Sequence, residues 1–323
     1  MPDPTALVLK IAFLAALGIF LVAAVIIAVL RRKTGSTPTL DATAEPVELP
    51  LAVSGPPPLP AVPPVWPYEA GAPQSLTRAP YALPGVATSP YRPLDFLWAG
   101  GIFIIFFALS IGNANADTSK IKFDAPVLLV SMAFQVALAL VTLFFVFWRI
   151  RPIEWLGLKW RSWPWGFLIA PVTVVGMWIV FGALQYGGYM QWMESLGVES
   201  TQETVKLLQT ATDPVVISLM AVAAVLVAPI CEEIVFRGYL FPFAKKYTCT
   251  WVAAICSGLI FAAAHGSLAA LLPLFIFGVV LAMLYEKTGS IWAPIAVHFC
   301  FNGATVAIQS LARHFPHLIE QTK

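Results

Sequence analysis

Residues 6–30 form an apolar run interrupted only by Lys10, and seven further runs follow at about 94–111, 125–150, 165–186, 215–239, 250–265, 268–285 and 291–311. A run of about 20 apolar residues is long enough to cross a bilayer as a helix. Inside hydrocarbon every backbone N–H and C=O must find its partner within the protein, which leaves only helices or closed barrels. Apolar residues are continuous along these runs rather than alternating, so the chain is expected to be all-α. The expected architecture is a polytopic membrane bundle of about eight transmembrane helices, one N-terminal anchor plus a seven-helix core. Composition agrees: 59% of the 323 residues are hydrophobic and 11% charged, against about 25% charged in soluble domains. A net charge of +2 gives no ground for nucleic acid as a partner.

Arg31, Arg32 and Lys33 directly follow the first run. A cleavable signal would carry its positive charges in front, so residues 1–33 read as an uncleaved anchor with a cytoplasmic basic end. Residues 34–93 hold 15 of the 27 prolines and read as a disordered cytoplasmic linker, with a docking strip for a proline-reading partner as the alternative. Residues 94–323 are the helical core. The stretches at 149–161 and Lys245-Lys246 are basic, whereas 191–213 carries Glu194, Glu199, Glu203 and Asp213 against Lys206. Basic loops inside and the acidic loop outside give one consistent threading, in an integral multi-pass protein of the plasma (inner) membrane. Trp98, Trp155, Trp163, Trp165, Trp251 and Trp292 fall near run ends, as an interfacial belt would. The four cysteines form no CxxC pair and read as small buried thiols. No internal repeat is visible, which weakens a transporter reading.

Three polar clusters interrupt the apolar runs. Charged groups at membrane depth cost about 2.5–3.5 kcal/mol each on insertion scales, so they usually mark function. In the first cluster Glu232 and Glu233 are adjacent, hence about 100° apart on a helix, and Arg237 lies one turn beyond Glu233. Glu233 therefore pairs with Arg237, and Glu232 is left to face a cavity as a general base for water. Pro229 should interrupt this helix, leaving both glutamates in the first turn of whatever resumes. A purely structural clamp explains Glu233 but not its neighbour. In the second cluster His265 ends Ala262-Ala263-Ala264, with Phe261 on its face one turn earlier; alone it reads as interfacial. In the third, His298 and Asn302 share a face. There the amide could bond helices together, orient the ring, or donate to an oxyanion. Helix counting puts Glu232 late in its span and His298 early in its own, while His265 falls toward the opposite face. A short or tilted helix, or a span starting below the surface, would reconcile them.

Glu232-Glu233-Ile-Val-Phe-Arg237, Phe261-Ala-Ala-Ala-His265 and His298-Phe-Cys-Phe-Asn302, in that order and in separate runs, resemble the CAAX-protease and bacteriocin-processing (CPBP, or Abi) family of intramembrane proteases. That family is related to the type II CAAX prenyl endopeptidases, and the resemblance covers about a third of the chain. It implies an endopeptidase with Glu232 as base, His265 helping to hold the water, and His298 and Asn302 stabilising the oxyanion, while Glu233 and Arg237 support the site. It also implies a membrane-associated protein or peptide substrate. A metal-free site is favoured; were zinc present, Glu232, His265 and His298 would be its ligands. No HExxH helix, no Gly-x-Ser-Gly and no Asp deep in a span occur for other membrane proteases. A non-catalytic membrane scaffold using the same residues for packing is the rival reading, and transport is third.

Overall fold

A computed structural model describes residues 4–33, 85–115, 124–160, 163–198 and 203–314. Among them, the helices are α1 (Pro4–Lys33), α2 (Asp95–Asn115), α3 (Ala125–Phe147), α4 (Pro152–Trp155) and α5 (Gly166–Tyr186). Next come α6 (Tyr189–Ser195), α7 (Glu203–Thr210), α8 (Pro214–Tyr247), α9 (Thr250–Ala264), α10 (Leu268–Thr288) and α11 (Trp292–His314). Seven of these are long and apolar enough to cross a membrane. The expected span at 250–265 is instead the 15-residue α9, only about 22 Å at 1.5 Å per residue. Together these helices make an integral, multi-pass bundle.

Pro229 does not interrupt α8. The helix widens into a π turn over Ala223–Val227, where the Ala228 N–H reaches back five residues to Ala223 O. A second π turn spans Ile234–Leu240, with the Phe241 N–H on Phe236 O, just before Pro242. An α register would press each proline ring against the carbonyl four residues earlier. The wider turn relieves that clash while the helix continues.

Running on to Tyr247 also removes the depth mismatch. Glu232 stands fifteen residues before Tyr247, and His265 fifteen after Thr250. In an antiparallel hairpin two residues equally far from the turn come level, so Glu232 is mid-span and His265 falls at about the same depth.

Helices α9 and α10 approach to backbone contact through Gly258 and Gly278. A Cβ on Gly278 would stand 2.8 Å from the Gly258 Cα. Helix α1 packs its own stripe onto this core. Phe13 meets Phe103 and Phe107 edge-on at 5.5 Å, and Leu9 and Ala12 bury against Ala263.

Of the proline-rich stretch, residues 34–84 lie outside the described residues. Residues 85–93, at the end of the stretch read as linker, pack against the core. Val86 N–H bonds to Glu286, and Tyr91 is fully buried. The Asp95 carboxylate takes both Arg149 Nη atoms, at 2.5 and 2.6 Å, and also the Tyr239 hydroxyl at 2.9 Å. The Asp95 hydrogen bond holds the Arg149 guanidinium above its ordinary pKa. Trp155, expected at the interface, is buried and donates to the Tyr91 hydroxyl at 2.8 Å; Trp163, Trp165, Trp251 and Trp292 are exposed. The cysteines are all free, with Cys231 and Cys256 buried, Cys300 half-buried and Cys249 exposed.

Candidate active site

Of the first cluster, Glu232 and Glu233 lie in α8 between its two π turns, and Arg237 lies within the second. Arg237 is wholly buried. Its Nη1 donates to Glu233 Oε1 at 3.0 Å, and its Nη2 to the Gly278 carbonyl at 3.0 Å. The guanidinium carbon also lies 4.4 Å from the centre of the Phe261 ring, a cation–π arrangement. The expected Glu233–Arg237 pair is therefore present. The Gly278 contact was invisible in the sequence, because a backbone carbonyl carries no signature and its approach depends on the glycine-to-glycine packing of α9 and α10.

Glu233 Oε1 has a second partner, His298 Nδ1 at 2.9 Å. A carboxylate facing Nδ1 assigns the proton to that nitrogen and leaves Nε2 pointing onward. The His298 ring is thus oriented by Glu233 and not by Asn302. It is clamped edge-on by Phe261 and Phe277, at 5.8 and 5.5 Å between ring centres. Asn302 reaches away, its Nδ2 donating to the Ala224 carbonyl at 2.8 Å. That carbonyl is five residues before Pro229, where the π register calls for an N–H that proline lacks. One of the amide's two N–H groups is used there, so the second can still serve a ligand.

Glu232 is half-buried, and its Oε2 stands 3.9 Å from His298 Nε2. That carboxylate oxygen is itself buried and has no hydrogen-bond partner among the described residues. At 3.9 Å the two atoms are too far apart for a direct hydrogen bond. His265 caps α9, with its ring 4.8 Å from Phe261, as the one-turn spacing suggested. Its Nδ1 is 2.8 Å from Phe261 O, so Nε2 is the free nitrogen. Phe261 thereby touches both histidines and the arginine. Three of the named residues, Glu232, Glu233 and His298, come into direct register, while His265 joins them across one aromatic ring and Asn302 stands one turn away.

A zinc centre needs three or four converging donors. Among the described residues no group of three His, Cys, Asp or Glu side chains is placed to hold a metal. The ligand set Glu232, His265 and His298 is not assembled in this arrangement.

Beside the cluster lies a largely apolar cleft of about 770 Å³, walled by α5, α8 and α11, with Phe167, Pro229, Ile230, Trp292 and Phe299 among its lining residues.

Sequence comparison bears on the same helices. The model of the Rce1-like type II CAAX prenyl endopeptidases matches residues 214–304, from the start of α8 to two residues past Asn302. The chain is 32% identical over 130 residues to "Putative membrane peptidase YdiL" of Bacillus subtilis (strain 168), covering 40% of this chain and 50% of that protein. It is 30% identical over 154 residues to an uncharacterised 24.3 kDa protein of Escherichia coli, covering 44% of this chain and 68% of the relative. The match thus spans about half the length of the Bacillus relative. No solved structure matches the chain. The matched segment carries every member of the three polar clusters, and the chain belongs to the Rce1-like type II CAAX prenyl endopeptidase family.

Proposed function

We propose that this protein is an intramembrane endopeptidase that hydrolyses a peptide bond of a membrane-associated protein or peptide with a glutamate-activated water. The observation that carries the reading is Glu232 Oε2, a buried carboxylate oxygen with no hydrogen bond among the described residues, 3.9 Å from an imidazole nitrogen. In the proposed reaction Glu232 takes a proton from the water as its oxygen attacks the scissile carbonyl carbon. The same proton then passes to the leaving amine. The second N–H of Asn302 receives the developing oxyanion, and so does His298 in the form that carries a proton on Nε2 as well as the Nδ1–H held by Glu233. His265 offers Nε2 to hold the water. Arg237 fixes the Glu233 carboxylate, and through it the angle of the His298 ring.

The apolar cleft next to Pro229 and Ile230 suits the approach of a substrate from within the bilayer. By the charge bias of the loops, access is from the cytoplasmic half of the plasma membrane. Glu232→Gln tests the proposal: it keeps size and polarity but removes the base. Normal insertion and folding with cleavage abolished is the expected result, read as accumulation of uncleaved precursors in cells carrying the variant. The scaffold reading requires the reverse, unchanged biological activity with Gln at this position.

A further inference from the structure

Each π turn of α8 is followed by a proline, and a side chain from elsewhere bonds a main-chain carbonyl inside each turn. At Pro229 the open carbonyl is Ala224 O, closed by Asn302 of α11 at 2.8 Å. At Pro242 the α register calls for an N–H on Gly238 O, and Tyr91 Oη donates to it at 2.6 Å. Tyr91 belongs to none of the polar clusters and lies before α2. The two closures bracket Glu232 and Glu233. A π turn inserts one residue into the helix, so it rotates the remaining turns by about 100° against an α register. Where these turns sit therefore decides where the site's side chains point.

We propose that Tyr91 is a positioning residue for the site, locking the second π turn of α8 by holding the carbonyl that Pro242 leaves open. The path is short. Gly238 is bonded by Tyr91, the adjacent Arg237 holds Glu233 Oε1, and the same oxygen holds His298 Nδ1 at 2.9 Å. Tyr91 is itself fixed by the Trp155 indole at 2.8 Å and by Lys246 Nζ on its carbonyl. A Cβ on Gly238 would stand 2.9 Å from Leu156 Cδ2, so the glycine admits the Leu156 side chain beside this turn. Burial pushes the Tyr91 phenol well above the ordinary tyrosine range, so its hydroxyl remains a donor into alkaline solution. The proposal rests on the catalytic reading only for its consequence in cleavage; the ring geometry it predicts is measurable without a substrate.

The experiment is a double-mutant cycle on the purified full chain in detergent micelles, read by ¹⁵N NMR of the histidine rings and by thermal unfolding. His298→Gln assigns the His298 signals. Tyr91→Phe removes one hydroxyl, and Pro242→Ala returns a main-chain N–H opposite Gly238. Tyr91→Phe should shift the His298 ring signals and lower Tm by about 2–4 °C. Adding Pro242→Ala should recover at least half of both changes. Unmoved His298 signals in Tyr91→Phe, recorded well below its melting point, overturn the proposal; so do effects of the two substitutions that simply add. Should either of these variants fail to fold, the matching cycle of Asn302→Ala with Pro229→Ala asks the same question of the first π turn by Tm alone. Coupling there supports carbonyl closure as the device that sets the register, and strict additivity refutes it. Loss of the proteolytic reading through Glu232→Gln would leave these outcomes untouched.

Discussion

Arg237→Ala removes a fully buried cation from the bundle. The wild-type side chain is fully buried, gives one N–H to Glu233 and another to Gly278 O, and lies against the Phe261 face. With alanine there, Glu233, also fully buried, faces only His298. Removing one partner of a buried ion pair costs about 3–5 kcal/mol, because the remaining charge keeps its desolvation penalty without its compensation. At roughly 2–4 °C per kcal/mol for a protein of about this size, Tm should fall by about 10 °C. Arg237→Lys should fall less: one ammonium keeps the charge but cannot span Glu233 and Gly278 as the planar fork does. A sharper test is available in the double variant. If the cost is Glu233's orphaned charge, then adding Glu233→Gln to Arg237→Ala should restore several degrees although it removes a further charged group. The measurement is thermal unfolding of detergent-purified protein followed by tryptophan fluorescence. A double variant no more stable than Arg237→Ala, or a single variant melting with the wild type, refutes the account.

Asp95→Ala should lower stability by roughly 2–4 kcal/mol, since the buried carboxylate serves Arg149, Tyr239 and the Arg92 N–H together; denaturant titration in mixed micelles reads it. Gly278→Ala should cost about 1–3 kcal/mol by forcing α10 off the α9 backbone, and it should lower cleavage as well by moving the carbonyl that steadies Arg237. Activity of the purified enzyme is expected to survive exhaustive dialysis against a chelator, and loss that added zinc restores would contradict the metal-free chemistry.

Much of the site was legible because helical spacing is a local property. Glu233 with Arg237, and Phe261 with His265, lie one turn apart, and both pairs meet as that spacing requires. Asn302 marks the limit of local spacing. The same one-turn interval put it beside His298, but its amide answers a vacant N–H on another helix, at a carbonyl 78 residues earlier in the chain. No local pattern links those two positions. Tyr91 was hidden for a related reason: a lone aromatic residue in a proline-rich stretch has no periodic context. Asp95 left a fainter signal, being an acid at the very start of an apolar run.

Chain composition and apolar run length determined that this protein is a helical membrane bundle, since lipid offers the backbone no other partners. They also determined which few side chains were costly enough at depth to demand a purpose. Tertiary structure decided everything that depends on register. It let α8 pass Pro229 by widening rather than breaking, brought Glu232 level with His265, turned His298 toward Glu233, and closed two opened carbonyls with groups from distant segments. The division has one physical cause: a proline states that a hydrogen bond is missing, but only packed neighbours determine which group takes its place.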